Sequence, residues 1–293
     1  MNAMNKTKVP IPMFLLIGII AISFSSIFVR WSDAPASVIA MYRLLMTNVL
    51  MLPFLWNYRH EIARIRLKDW LRTAISGIAL GLHFLFWMDS LRFTTVASST
   101  AILTLEPICV LLGAFLLYGQ KTSRAALMAM CVAIVGAVCI GWGDFQFSGN
   151  ALKGDLLSLV GTLAVALHML LGKSLREHIS AFVYSFFVFL FAGVVLAITN
   201  LFTGVSFFAY APKEWGVFLL LAIVPTVFGH YVFNWLLKYM NASSVSMTVL
   251  GEPLGATLLA YFILGETITT VQLLAGCLLL VGVGMFLRSN EKQ

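Results

Sequence analysis

Charge is scarce in this chain: Asp, Glu, Lys and Arg make up 11% of 293 residues, while 60% are apolar. A water-soluble fold of this length cannot hide so much apolar surface, whereas lipid accepts it without penalty. Long polar stretches are also missing, and the longest clear connector is about a dozen residues. That leaves no room for a separate soluble domain and disfavours a receptor or scaffold built around large loops. Cysteine is rare. Cys109, Cys131, Cys139 and Cys277 all lie inside apolar runs with no metal-like spacing, and are expected to be small core residues. There is no phosphate-binding loop, which excludes direct ATP coupling, and no H-E-x-x-H or nucleophile–base set, which argues against a membrane-embedded enzyme. Nothing implies a metal or cofactor. The net charge of +7 does not point to nucleic acid, because the basic residues sit between apolar runs rather than along one face with interleaved aromatics.

What the chain does have is long, continuous apolar runs. They predict spans at about 13–30, 36–57, 70–91, 95–117, 121–142, 154–173, 180–203, 214–238, 242–264 and 268–287. Their continuity excludes the ten-residue alternation of a membrane β-barrel. Lys6 and Lys8 before Met13–Val29 resemble a signal peptide, but no convincing A-x-A site follows, many more spans do, and an uncleaved first helix is expected. Connectors carry turn residues, among them Ser32-Asp33-Ala34-Pro35, Gly143-Asp144, Gly149-Asn150 and Ala211-Pro212. With the N-terminus inside, fourteen Lys and Arg fall in inner segments against four in outer ones, Arg30, Arg92, Lys153 and Lys213. Both termini are therefore expected in the cytoplasm of a multi-pass plasma-membrane protein.

The chain also repeats itself. Leu103-Thr104-Leu105-Glu106-Pro107-Ile108, followed by Leu117-Tyr118-Gly119-Gln120, recurs as Val249-Leu250-Gly251-Glu252-Pro253-Leu254, followed by Ile263-Leu264-Gly265-Glu266. His83 matches His230 with one residue of slippage, and Gly136 matches Gly282. The expected fold is all-α: ten transmembrane helices as two five-helix repeats, 1–147 and 148–293. Five is odd, so the repeats must be inverted, with a site near the midplane where they meet.

The two Glu-Pro pairs, the Leu264-Gly265-Glu266 end of the ninth span, and Ala34-Pro35 leading to Tyr42-Arg43 together resemble the EamA family of the drug/metabolite transporter superfamily. The resemblance runs from about Phe14 to Leu287. It implies ten helices, cytoplasmic termini and movement of small metabolites, often export of amino acids or related compounds. Gln120 departs from the family pattern, which has Glu there.

Ionisable groups inside a span need a partner or a polar cavity. Glu106 lies ~16 Å below one end of its span and Glu252 ~15 Å above the other. Pro107 and Pro253 each free a carbonyl one turn back, at Leu103 and Val249, and Pro225 is a third expected kink. Each Glu-Pro is either a polar functional notch or a packing kink with a paired or protonated Glu. Arg43, ~10 Å inside the second span, is either a structural partner of a carboxylate such as Glu106 or a clamp on a substrate carboxylate. Its counterpart in the second half is Ser185. His83 with Trp87, and His230 with Asn234, share helix faces that either line a cavity or glue helices together. His168 is expected to pack, and Phe186, Phe187, Phe189 and Phe191 to face lipid. Gly77-x-x-x-Gly81 and Gly251-x-x-x-Gly255 are expected at close helix crossings. The combined reading is a secondary transporter of a small-molecule substrate working in a lipid bilayer by alternating access. The carboxylates permit proton coupling without demanding it. An uptake carrier of the same fold and a non-transporting scaffold are the alternatives.

Overall fold

The computed structural model describes residues 10–94, 99, 102–141, 149–265, 268 and 270–290. Glu266, Lys6, Lys8, Lys292 and the Gly143-Asp144 turn lie outside the described residues. Among those described, the secondary structure is helical without strands. Lipid offers no hydrogen bonds, so a buried backbone must satisfy itself within the helix.

Eight helices are long and apolar enough to cross a membrane, and two apolar helices are shorter. In chain order they are α1 (Ile11–Arg30), α2 (Ala36–Leu55), α3 (Leu67–Ser90), α4 (Glu106–Tyr118), α5 (Arg124–Gly141), α6 (Gly149–Leu175), α7 (Ala181–Thr203), α8 (Pro212–Leu236), α9 (Ala242–Ile263) and α10 (Thr270–Asn290). The short pair is α4 and α5. Twenty helical residues rise ~30 Å, the thickness of the hydrocarbon layer.

Two of these helices are interrupted. Before α4, Ile102 and Leu103 are helical, Thr104 and Leu105 form a turn, and the helix restarts at Glu106. In α9 the break falls at Leu250, between Ala242–Val249 and Gly251–Leu259. Each break precedes Glu-Pro, where proline has no N–H to bond the carbonyl one turn back. Both helices then end on a left-handed glycine, Gly119 at φ 64° and Gly265 at φ 70°, a conformation that residues with a Cβ adopt only at a cost.

The packing pattern is the same when the first five helices exchange places with the last five. Helix α3 packs on α6 and α7, and α8 packs on α1 and α2; α4 meets α6 as α9 meets α1. Between the halves, α2 also packs on α7, α4 on α9 and α5 on α10. Small residues make the close ones possible. A Cβ on Gly77 would sit 2.6 Å from Phe191 Cβ of α7, and one on Gly255 2.1 Å from Ser23 Oγ of α1. Between α5 and α10 the glycines are reciprocal: Gly136 lies against Leu279 and Gly282 against Ala133.

Two expectations are corrected here. Phe186 and Phe189 are buried, Phe191 abuts Gly77, and Phe187 is half-buried with its ring edge-on to Trp70 at 4.5 Å. Helix α7 is wedged between α2 and α3, so its aromatic faces have protein neighbours rather than lipid. Conversely, Cys131 and Cys277 are exposed and Cys109 and Cys139 half-buried. A thiol is apolar enough to face lipid and gains little by burial.

Candidate functional site

A cavity lies between the halves of the bundle, lined from α1, α3, the α4 break, α6, α8 and α9. Its wall contains Glu106, Pro107, Glu252, Pro253, His83, Trp87 and His230. Leu103 and Val249, the residues whose carbonyls the prolines release, line it as well. Both Glu-Pro pairs therefore reach one space, each in the first turn of a restarted helix. Such a turn presents unpaired backbone N–H groups and the positive end of the helix dipole.

Helix α3 supplies an aromatic wall. His83 and Trp87, one turn apart, have nearly parallel rings, 6° between planes at 6.2 Å. The imidazole is fixed by a bond of 3.0 Å between Nδ1 and the Gly161 carbonyl. Phe84 meets His230 edge-on at 5.1 Å across the cavity. Behind that ring, the Arg43 guanidinium carbon lies 4.3 Å from the Phe84 centroid.

Arg43 is completely buried but does not itself line the cavity. Its Nε donates to Thr226 Oγ1 at 3.0 Å and its Nη1 to Ser25 Oγ at 3.3 Å. Ser25 is a cavity residue, so Arg43 stands one layer behind the wall. Neither hydrogen bond goes to Glu106; the carboxylate whose field acts on Arg43 is Glu252. Ser246 sits beside Glu106, yet Ser246 Oγ and Glu106 Oε1 both lack a hydrogen-bond partner among the described residues, as do Trp87 Nε1 and Arg43 Nη2. Unsatisfied donors and acceptors in and behind one wall are costly in an empty protein and well suited to a polar ligand.

Asn234, Pro225 and His168 lie apart from the cavity, the last as expected. Asn234 does not share His230's outlook: its Nδ2 donates to Ser185 Oγ at 3.2 Å, and its carbonyl accepts from Arg176 Nε at 2.8 Å. The reason is local. Residues Ala222–Tyr231 around Pro225 wind with the wider i→i+5 turn, so residues four apart at its end no longer coincide on one face. Pro225 is buried in this segment, away from the cavity wall. His168 packs in a buried polar cluster, with Nδ1 2.9 Å from Ser76 Oγ, which is 2.7 Å from the Tyr184 hydroxyl.

Sequence reading did not single out Phe84, Ser25, Thr226 or Ser246. Ser246 had a signal: Ser243, Ser244, Ser246 and Thr248 place four hydroxyls within an otherwise apolar helix, and all are buried. Phe84 had none, since one more phenylalanine among 23 carries no polarity contrast.

The EamA-like transporter family matches this chain twice, over residues 10–142 and 152–288. An uncharacterized transporter of Archaeoglobus fulgidus is 26% identical over 264 residues, covering 88% of this chain and 89% of the relative. An uncharacterized transporter of Synechocystis sp. is 27% identical over 253 residues, covering 80% and 70%. The uncharacterized transporter YetK of Bacillus subtilis is 26% identical over 262 residues, covering 86% and 77%. A crystal structure superposes with a TM-score of 0.79 over 96% of this chain and 98% of the other, at 15% identity, a likeness of fold alone. With both of its halves matched and its apolar helices arranged around a cavity, the chain belongs to the EamA-like transporter family and is a multi-pass transmembrane transporter.

Proposed function

We propose that the protein is a secondary transporter that exports amino acids or closely related metabolites across the plasma membrane. It works by alternating access between two inverted five-helix repeats, residues 1–147 and 148–293. The observation that carries this reading is the convergence of Glu106 and Glu252, equivalent residues of the two halves, on one cavity. Beside them lie a donor from Trp87 and, one layer back, the guanidinium of Arg43. Carboxylates in the wall, with the Trp87 donor beside them and the guanidinium one layer behind, match a zwitterion, with its ammonium towards the carboxylates and its carboxylate towards the donors. The parallel His83–Trp87 pair offers an apolar surface for the rest of the molecule.

A counterflow screen of amino acids and other metabolites in proteoliposomes tests the proposal. Saturable exchange of zwitterions is the expected result, and its absence across a broad panel overturns the reading. Glu252, the carboxylate coupled to Arg43, is the stronger candidate for linking movement to a proton. Glu252→Gln keeps the shape and removes the charge. It should lower flux and flatten its dependence on pH, with a milder effect from Glu106→Gln. Unchanged rates and pH profiles in both variants would leave the Glu-Pro pairs as helix breaks only.

A further inference from the structure

Two buried acids lie outside the cavity. Asp69 is the third residue of α3 and Glu214 the third of α8, the helices that carry His83 and His230. They are 1% and 4% exposed. Asp69 Oδ2 accepts from Arg66 Nε at 3.0 Å and lies 3.3 Å from Nε2 of His178, in the α6–α7 connector. Nearby, Glu61 Oε1 accepts the backbone N–H of Ser180 at 2.6 Å, and Arg176 donates to the Ile179 carbonyl. Glu214 grips the α1–α2 connector in the same way: Oε2 accepts from Ser32 Oγ, and Oε1 from the Asp33 N–H at 3.1 Å. Lys213 Nζ lies 3.7 Å from the Asp33 carboxylate.

The repeat makes these one contact occurring twice. Glu214 follows Asp69, and His178 follows Ser32, at the spacing that separates the halves, within one residue. In each, the acid that opens the third helix of one half holds the first connector of the other half. The two ties lie at opposite ends of α2, because the α1–α2 connector precedes Ala36 and α3 begins beyond Leu55. They differ from the buried inter-half contacts, such as the Arg43–Thr226 and Ser76–His168 hydrogen bonds and the close packing at Gly77 and Gly255, in having partners at the bundle surface. Their outer partners are accessible: the side chains of Arg66 and His178 are 62% and 42% exposed, those of Lys213 and Asp33 61% and 93%. Water can take up the bonds of these exposed partners when they break, which makes the ties inter-half contacts that can be released.

We propose that Asp69 and Glu214 are the two latches of the transport cycle, one at each face of the bundle. Each holds a connector of the opposite half against the start of a helix that walls the cavity. Alternate release opens the cavity to one face and then to the other. This rests on the alternating-access reading above.

The test uses the full chain with its four cysteines replaced by Ala and a reporter, Val165→Cys, in the α6 wall of the cavity. A membrane-impermeant thiol reagent is applied to right-side-out and inside-out vesicles. Asp69→Asn should raise labelling from the face where α3 begins by about fivefold or more, and Glu214→Gln from the opposite face. His178→Ala and Ser32→Ala leave both buried acids in place and should act in the same respective directions, more weakly. They decide the matter if an acid variant fails to insert. Equal gains at both faces, or labelling from both faces that none of the four variants moves, overturns the latches and leaves alternating access standing. Labelling confined to one face in every protein overturns alternating access and the latches with it.

Discussion

A guanidinium buried inside an apolar bundle must place five N–H donors without water. Arg43 places some on Thr226 and Ser25, lays its face on Phe84, and keeps Nη2 unpartnered. Losing one hydrogen bond to a charged group is worth ~1.5–3 kcal/mol, so Arg43→Ala should reduce counterflow about tenfold or more at matched protein levels. Arg43→Lys should be only partly tolerated, because an ammonium cannot serve Thr226, Ser25 and the Phe84 face together. Full activity of the Ala variant would show the residue to be dispensable. Trp87 offers a sharper separation of stability from function. Trp87→Phe keeps an aromatic ring beside His83 but removes the unpartnered indole N–H. It should leave thermal stability in detergent unchanged or slightly raised while increasing the substrate concentration for half-maximal flux. A loss of stability with unchanged flux would mark Trp87 as packing alone. The presence of Arg43 in a span was legible in the sequence, but its partners were not. They come from α1, α3 and α8, which only folding brings around Arg43.

At the scale of the helices, continuous apolar runs fixed the long spans to within a few residues, from Ile11–Arg30 to Thr270–Asn290. What they did not convey was which face of each helix meets protein. In water, polarity separates core from solvent; in lipid both environments are apolar, so the α7 phenylalanines read alike whether buried or lipid-facing. The glycines carry that information instead, because close backbone approach excludes a side chain. Gly282 and Gly284 sit two residues apart on α10, yet a Cβ at Gly282 would lie 2.3 Å from Ala133 N, while one at Gly284 has no heavy atom within 4 Å. Gly282→Val should therefore push α10 off α5 and destabilise the protein by ~1–3 kcal/mol, with Gly284→Val close to neutral. Thermal unfolding of the purified variants in detergent checks the contrast, and equal effects would mean that the reciprocal glycines do not set the α5–α10 crossing. The breaks before α4 and inside α9 were half legible. Proline announced the lost hydrogen bond, but not that both broken ends would face the same cavity.

For the whole molecule, the proposed orientation of the chain rests on two arguments. Charge is one: fourteen Lys and Arg fall on the side assigned to the cytoplasm and four on the other, a bias that sets which loops stay inside during insertion. Parity is the other. The exchange of neighbours between the first and last five helices fits halves related by a two-fold axis, and the proposed five crossings per half would force that axis into the membrane plane. Ten crossings, as proposed, would then return the C-terminus to the side of the N-terminus. Reporters fused after Arg64, in the α2–α3 connector, and at the C-terminus should both report the cytoplasm, and one placed after Phe208, between α7 and α8, should report the outside. The three positions are informative together because each sits beyond a different number of crossings. A C-terminal reporter outside, with Arg64 still inside, would mean an odd number of spans, and the equivalence of Glu106 and Glu252 would then need a parallel rather than an inverted relation. Reversal of all three would keep the inverted repeat and exchange the faces of the Asp69 and Glu214 ties.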